Sequence, residues 1–184
     1  MNRTVTAALL IIGLSVVLPS CLVDFTAELN ATESLLNVVE KVESGSAEID
    51  VRSVKQYIND VSVKCQTIQD QFSDTLSFEQ AEALANFCSL DEHLANCLKR
   101  KQRIDEELLR TRAQLNDLKA DLTEKRADKD STNLFIEQEF LFVESLNEST
   151  DQLLVELNSC FETYAELKDG IDSLLIALPS TAER

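Results

Sequence analysis

Residues 87–122, FCSLDEHLANCLKRKQRIDEELLRTRAQLNDLKADL, decide the fold. Phe87, Leu90, Leu94, Cys97, Lys101, Ile104, Leu108, Thr111, Leu115, Leu118 and Leu122 follow one another in alternating steps of three and four. That spacing is the seam of a long helix in a coiled-coil or bundle setting. Only Lys101 and Thr111 are out of character. A second stripe, Leu84, Cys88, Ala95 and Leu98, adjoins the first, so this helix is expected to pack against two neighbours.

Working outward, both neighbours are legible. Upstream, Val51, Val54, Ile58, Val61, Cys65, Ile68 and Phe72 keep the same rhythm. SDTLSFEQ interrupts it, and Ser77 with Gln80 three residues on predicts a capping box that opens the central helix. Downstream, EKRADKDSTN reads as a polar turn with Ser131 or Thr132 as the next N-cap. The seam then resumes through Val143, Leu146, Thr150, Leu153, Leu157, Cys160, Tyr164, Leu167, Ile171, Leu174 and Leu178. Gly170 leaves the phase intact, and Pro179 ends the helix. Before Val51, Leu29, Leu35, Leu36, Val39 and Val42 form a stripe out of phase with the next, and Gly45 is the expected breaking point.

The expectation is an all-α, elongated antiparallel bundle or coiled coil of three long helices, the first broken near Gly45, carrying two disulfides. If Gly45 is instead a hairpin turn, a four-helix bundle with a protruding coiled-coil hairpin results. The composition agrees: of 184 residues, three are glycine, two proline and none tryptophan. The single bundle domain is assigned to residues 24–178, followed by a tail at 179–184.

The cysteines follow from the register. Facing residues of an antiparallel hairpin pair Ile68 with Leu84 and Ile58 with Leu94, which sets Cys65 opposite Cys88. Leu90 with Leu167, Ile104 with Leu153 and Leu115 with Val143 set Cys97 opposite Cys160. Disulfides Cys65–Cys88 and Cys97–Cys160 are therefore expected, each stapling one hairpin. Cys88 and Cys97 cannot bond on a continuous helix, where rise alone separates them by roughly 13 Å. Structural zinc is not expected, because it wants four ligands in close pairs and the chain has one histidine, His93. The same register sets Lys101 opposite Glu156 as a cross-helix ion pair.

Residues 1–20 read as a signal peptide, with Arg3 ahead of an apolar run from Ala7 to Leu18. Export would supply the oxidising compartment that disulfides require. LPSC, ending at Cys21, resembles the lipobox of bacterial lipoproteins, which implies a lipid-anchored envelope protein as the alternative to a secreted one. Asn30 in NAT and Asn147 in NES are glycosylation acceptors if the cell is eukaryotic.

Function is bounded by exclusion. A formal charge of -16 argues against nucleic acid and anionic membrane as partners. No nucleophile elbow, phosphate loop, calcium loop or zinc-protease motif is present. Neither catalysis nor a cofactor is expected. The reading is a structural or protein-interaction module with an unassigned protein partner, a second copy of itself included. The alternatives are a small-ligand or lipid carrier and a secreted enzyme inhibitor. Plant invertase and pectin methylesterase inhibitors are similarly exported four-cysteine helical bundles. Their early close cysteine pair is missing here, and no membership follows. The candidate partner surface is Phe135, Phe140, Leu141 and Phe142, in a stretch apolar on all sides of its helix.

Overall fold

A computed structural model describes residues 24–71 and 76–177. The readings that fall on the signal segment 1–20, Cys21, Phe72, Leu178, Pro179 and the 179–184 tail lie outside those residues. Four helices follow in order: α1 Thr26–Ala47, α2 Val51–Gln71, α3 Phe78–Thr123 and α4 Lys129–Ile176. There is no strand among the described residues.

α3 is the central bar. The ion pairs Glu33–Lys119 and Glu43–Arg112 lay α1 antiparallel along its C-terminal half. The Cys65–Cys88 bond lays α2 along its N-terminal half in the same register. α1 and α2 do not pack side by side. They form one bent bar, and the hairpin-turn alternative with its protruding coiled coil does not hold. α4 returns antiparallel to α3 and packs on both α1 and α2. With 46 residues in α3 and 48 in α4, the rod is about 70 Å long.

The bend is not at Gly45. That residue is helical and inside α1, and its φ is not positive. A Cβ there would only touch Thr150 Cγ2, at 3.9 Å. The break falls at Glu48–Asp50. Asp50 opens α2 by accepting hydrogen bonds from the Arg52 amide (2.9 Å) and the Ser53 hydroxyl (2.8 Å). The buried line runs Val42, Ser46, Ile49 and then jumps to Val54, one residue more than the seam rhythm allows. A continuous helix would turn α2's apolar face off α3, and the break absorbs the extra residue.

The Ser77–Gln80 capping box forms with both of its bonds. The cap of α4 is Asp128, not Ser131 or Thr132. Its carboxylate accepts from the Ser131 amide at 3.0 Å, and Thr132 is buried in the seam instead. Asp128 wins over Ser131 and Thr132 because its charge also complements the helix N-terminus. α4 passes through Gly170 without interruption.

The core is the predicted seam. Phe87, Leu90, Leu94, Cys97, Lys101, Ile104, Leu108, Thr111, Leu115 and Leu122 are all buried in α3. Val143, Leu146, Thr150, Leu153, Leu157, Ile171 and Leu174 face them from α4. Between Leu157 and Ile171, Cys160, Tyr164 and Leu167 are only half-buried.

Candidate functional sites on α4 and in the α3–α4 cleft

The first half of α4 is apolar on every side, and α1 and α3 cover only part of it. Thr132, Val143 and Leu146 are buried, and Phe135 and Ile136 are half-buried against the core. Phe135 therefore leaves the candidate surface, since its ring packs inward. Phe140, Leu141 and Phe142 remain exposed, at 54%, 62% and 40%. Two residues missed from the sequence join them, Leu134 at 57% and Val155 at 68%. Leu134, Leu141 and Val155 lie at multiples of seven residues, so they share one line opposite the seam. That spacing was the available signal, and the stronger inward seam masked it. Along this line Glu137, Glu144, Glu148 and Asp151 are exposed, and none of them pairs with a cation among the described residues.

Of the two expected disulfides, Cys65–Cys88 is formed, with an S–S distance of 2.05 Å and Cα atoms 5.8 Å apart. Cys97 and Cys160 are free thiols. The register does bring them to one place. Both line a cleft of about 680 Å³ between α3 and α4, with His93, Asn96, Glu156 and Ser159. The Cys97 side chain is buried and its thiol is directed to Glu156, Sγ to Oε2 3.9 Å. Cys160 is half-buried. Burial, helped by neighbouring Cys160 and Glu156, pushes the Cys97 thiol up to about 11. Burial and then Glu156 push Cys160 up as well. Both stay protonated at neutral pH, so neither is an activated nucleophile. His93 is exposed at the rim of this cleft.

Lys101 is buried in the seam as expected, but its partner is not Glu156. Its Nζ donates to Asp105 Oδ2 at 2.7 Å and to the buried Ser46 hydroxyl at 3.3 Å, and Ser46 donates to Asp105 Oδ1 at 2.6 Å. Glu156 pairs with Arg100 instead. An acceptor one turn along the same helix can be met without extending the lysine across to α4.

A clasp that the sequence reading did not find ties α2 to α4. Tyr57 stacks on Phe161 (ring centroids 4.9 Å) and meets Tyr164 edge-on (4.7 Å). The Tyr164 hydroxyl donates to Asp60 at 2.6 Å, and Lys64 bridges Asp60 (2.9 Å) and Asp172 (2.8 Å). Burial and the Asp60 bond push Tyr164 up to about 12. Burial alone would raise Asp60, yet its bonds from Tyr164 and Lys64 leave its carboxyl below the usual value. An open cleft of about 1350 Å³ adjoins the clasp at the bend, with Arg52, Lys55 and Tyr57 among its walls.

Asn30 is exposed on α1. Asn147 is half-buried on α4, where its amide donates to Asp151 at 3.5 Å. Among the described residues no three metal-ligating side chains converge. No helix there is long and apolar enough to cross a membrane.

Comparison of the chain with protein-family models, with curated proteins and with solved structures finds no match.

Proposed function

We propose that this chain is an exported, non-catalytic interaction module that presents the outward face of α4 to a protein partner. The observation that carries the reading is the exposure of Leu134, Phe140, Leu141 and Phe142 on a helix whose inner side is already packed by α1 and α3. Four large apolar side chains within nine residues of a stable helix have no packing role on that side, and such a patch marks a contact surface. The Cys65–Cys88 bond supports export, since such bonds persist in oxidising compartments. Residues 1–20 would then be removed as a signal, leaving the bundle secreted or, with Cys21 lipidated, anchored to an envelope. Asn30, exposed on α1, would be the better placed of the two glycosylation acceptors. Catalysis is unsupported by the polar groups of the clefts, whose thiols are protonated and whose one histidine stands at the rim. A carrier role draws no support from the clefts either, which open to solvent. Inhibition of an enzyme by surface contact would be one form of the interaction proposed here.

The test is a photo-crosslinking amino acid at position 141 in protein expressed in its native setting. The reading expects a discrete covalent adduct at 141 and none at position 109 of α3, where Leu109 is equally solvent-facing at 70%. No adduct at 141, or the same adducts at both positions, would count against it.

A further inference from the structure

We infer that the partner seated on this face is a cationic amphipathic helix, an inference that rests on the interaction reading above. The sequence of α4 carries nine acids and no lysine or arginine between Lys129 and Lys168. The other acids of the rod are partly neutralised within the fold: Glu33 by Lys119, Glu43 by Arg112, Asp60 and Asp172 by Lys64, Asp105 by Lys101. On α4 the acids beside the exposed apolar line, Glu137, Glu144 and Asp151, and Glu148 on the line between Leu141 and Val155, have no such counterion among the described residues. The face is therefore an apolar line bordered by uncompensated negative charge.

The spacing selects the shape of the occupant. Leu134, Leu141 and Val155 stand at multiples of seven residues, and Phe140 and Phe142 flank Leu141 on either side. A facing helix with an apolar seven-residue repeat, interrupted by a lysine or arginine opposite Glu148, would meet these side chains in register, as partners in a coiled coil do. From Leu134 to Val155 the line is about 32 Å long, which matches a helix of roughly 20 residues. Lysines or arginines beside the partner's seam would lie opposite Glu137, Glu144 and Asp151, giving both attraction and register. A second copy of this chain is disfavoured, because two α4 faces would bring the same acids against one another. An anionic lipid surface is disfavoured on the same ground.

The experiment is calorimetric titration of the full secreted chain with designed peptides of about 20 residues. One carries a leucine seam flanked by lysines. A second has the same composition scrambled, and a third has glutamate in place of lysine. The seam-and-lysine peptide is expected to bind, and both controls to bind at least about tenfold more weakly. Binding should weaken with salt, as screening of surface charge requires. Leu141→Asp should weaken binding by a similar factor with its melting curve unchanged, and Leu109→Asp should not. Equal binding of the scrambled peptide would reduce the effect to net charge and overturn the inference. So would equal binding of the glutamate peptide, absence of any binding, or self-association of the free chain abolished by Leu141→Asp. A crosslink from position 141 to a partner without a basic amphipathic helix would overturn this inference and leave the interaction reading standing.

Discussion

Lys101 offers the sharpest test of how the rod is held together. Its side chain is 11% exposed, deep in the α3 seam, and its ammonium ends on Asp105 and Ser46. Replacing it with glutamate sets a carboxylate in that site beside the Asp105 carboxylate, with Ser46 left to serve both. An uncompensated charge in a buried site costs about 3–5 kcal/mol. Lys101→Met keeps the packed stem and removes the charge. Asp105 is 47% exposed and still accepts from Ser46, so water takes over the oxygen that the lysine held. This change should move stability by less than about 1 kcal/mol. With a urea m-value of about 2 kcal/mol/M, Lys101→Glu lowers the unfolding midpoint by about 1.5–2.5 M and Lys101→Met leaves it within about 0.5 M. The partner is identified by charge exchange. Lys101→Glu with Asp105→Lys should recover more than half of the loss, and Lys101→Glu with Glu156→Lys should not, since Glu156 pairs with Arg100. A rescue by Glu156→Lys, or a methionine variant as damaged as the glutamate one, would refute the assignment.

Two further outcomes follow from titratable groups. Glu139 on α4 has a buried carboxylate oxygen, Oε2, without a hydrogen-bond partner, and burial raises its pKa. A raised folded pKa means that the fold binds the proton more tightly than the unfolded chain, so its contribution is full at low pH and is lost as pH rises through the folded value. Glu139→Gln should therefore raise stability by about 1 kcal/mol at pH 7 and by less at pH 4 in thermal melts, and a variant less stable at pH 7 would contradict this. Cys97 and Cys160, protonated and recessed, should alkylate at least about tenfold more slowly in the folded chain than after denaturation at pH 7.5, followed by mass spectrometry without reductant. An unlabelled pair after denaturation would show them bonded instead.

How much of this was legible from residues alone varies along the rod for physical reasons. In α3 the buried positions are those of the seven-residue pattern almost without exception, because apolar side chains occupy nearly all of them. The same register located Cys65 against Cys88. It set Cys97 and Cys160 on one cleft but could not place the sulfurs, since Cα register leaves the χ1 rotamer free and the Cys97 thiol turns to Glu156. Nor could it tell a lysine's partner across the seam from one a turn away on the same helix. The outward line of α4 was read at Phe140, Leu141 and Phe142, where apolar residues are consecutive, and at Phe135, whose ring packs inward. Leu134 begins the triplet Leu134–Ile136 and Val155 ends the triplet Leu153–Val155, whose other members serve the inward seam and masked the outward side chain.

α1 was the least legible element, and the reason bears on how the rod works. Its buried line is Phe25, Glu28, Thr32, Leu35, Val39, Val42, Ser46 and Ile49, on which three positions are polar. Apolar periodicity cannot find such a seam, and Gly45, the one conspicuous residue nearby, drew the break away from Asp50. Ser46 reaches Asp105 and Lys101 of α3 and Glu28 pairs with Lys129 of α4, while the threonines are accommodated locally. Thr32 donates to the Glu28 carbonyl at 2.8 Å, and opposite, Thr150 donates to the Leu146 carbonyl at 2.9 Å, so their hydroxyls are satisfied without a partner helix. They add little burial of apolar area, and among the described residues this half of the rod has no disulfide, whereas the α2 half has a covalent cross-link and the Tyr57–Phe161–Tyr164 clasp. The exposed apolar face of α4 lies on the half of the bundle away from that cross-link and clasp. An incoming helix that covers Leu134, Phe140, Leu141 and Phe142 would bind the folded rod and not the unfolded chain, so binding at this face and stabilisation of the α1–α3–α4 half are coupled.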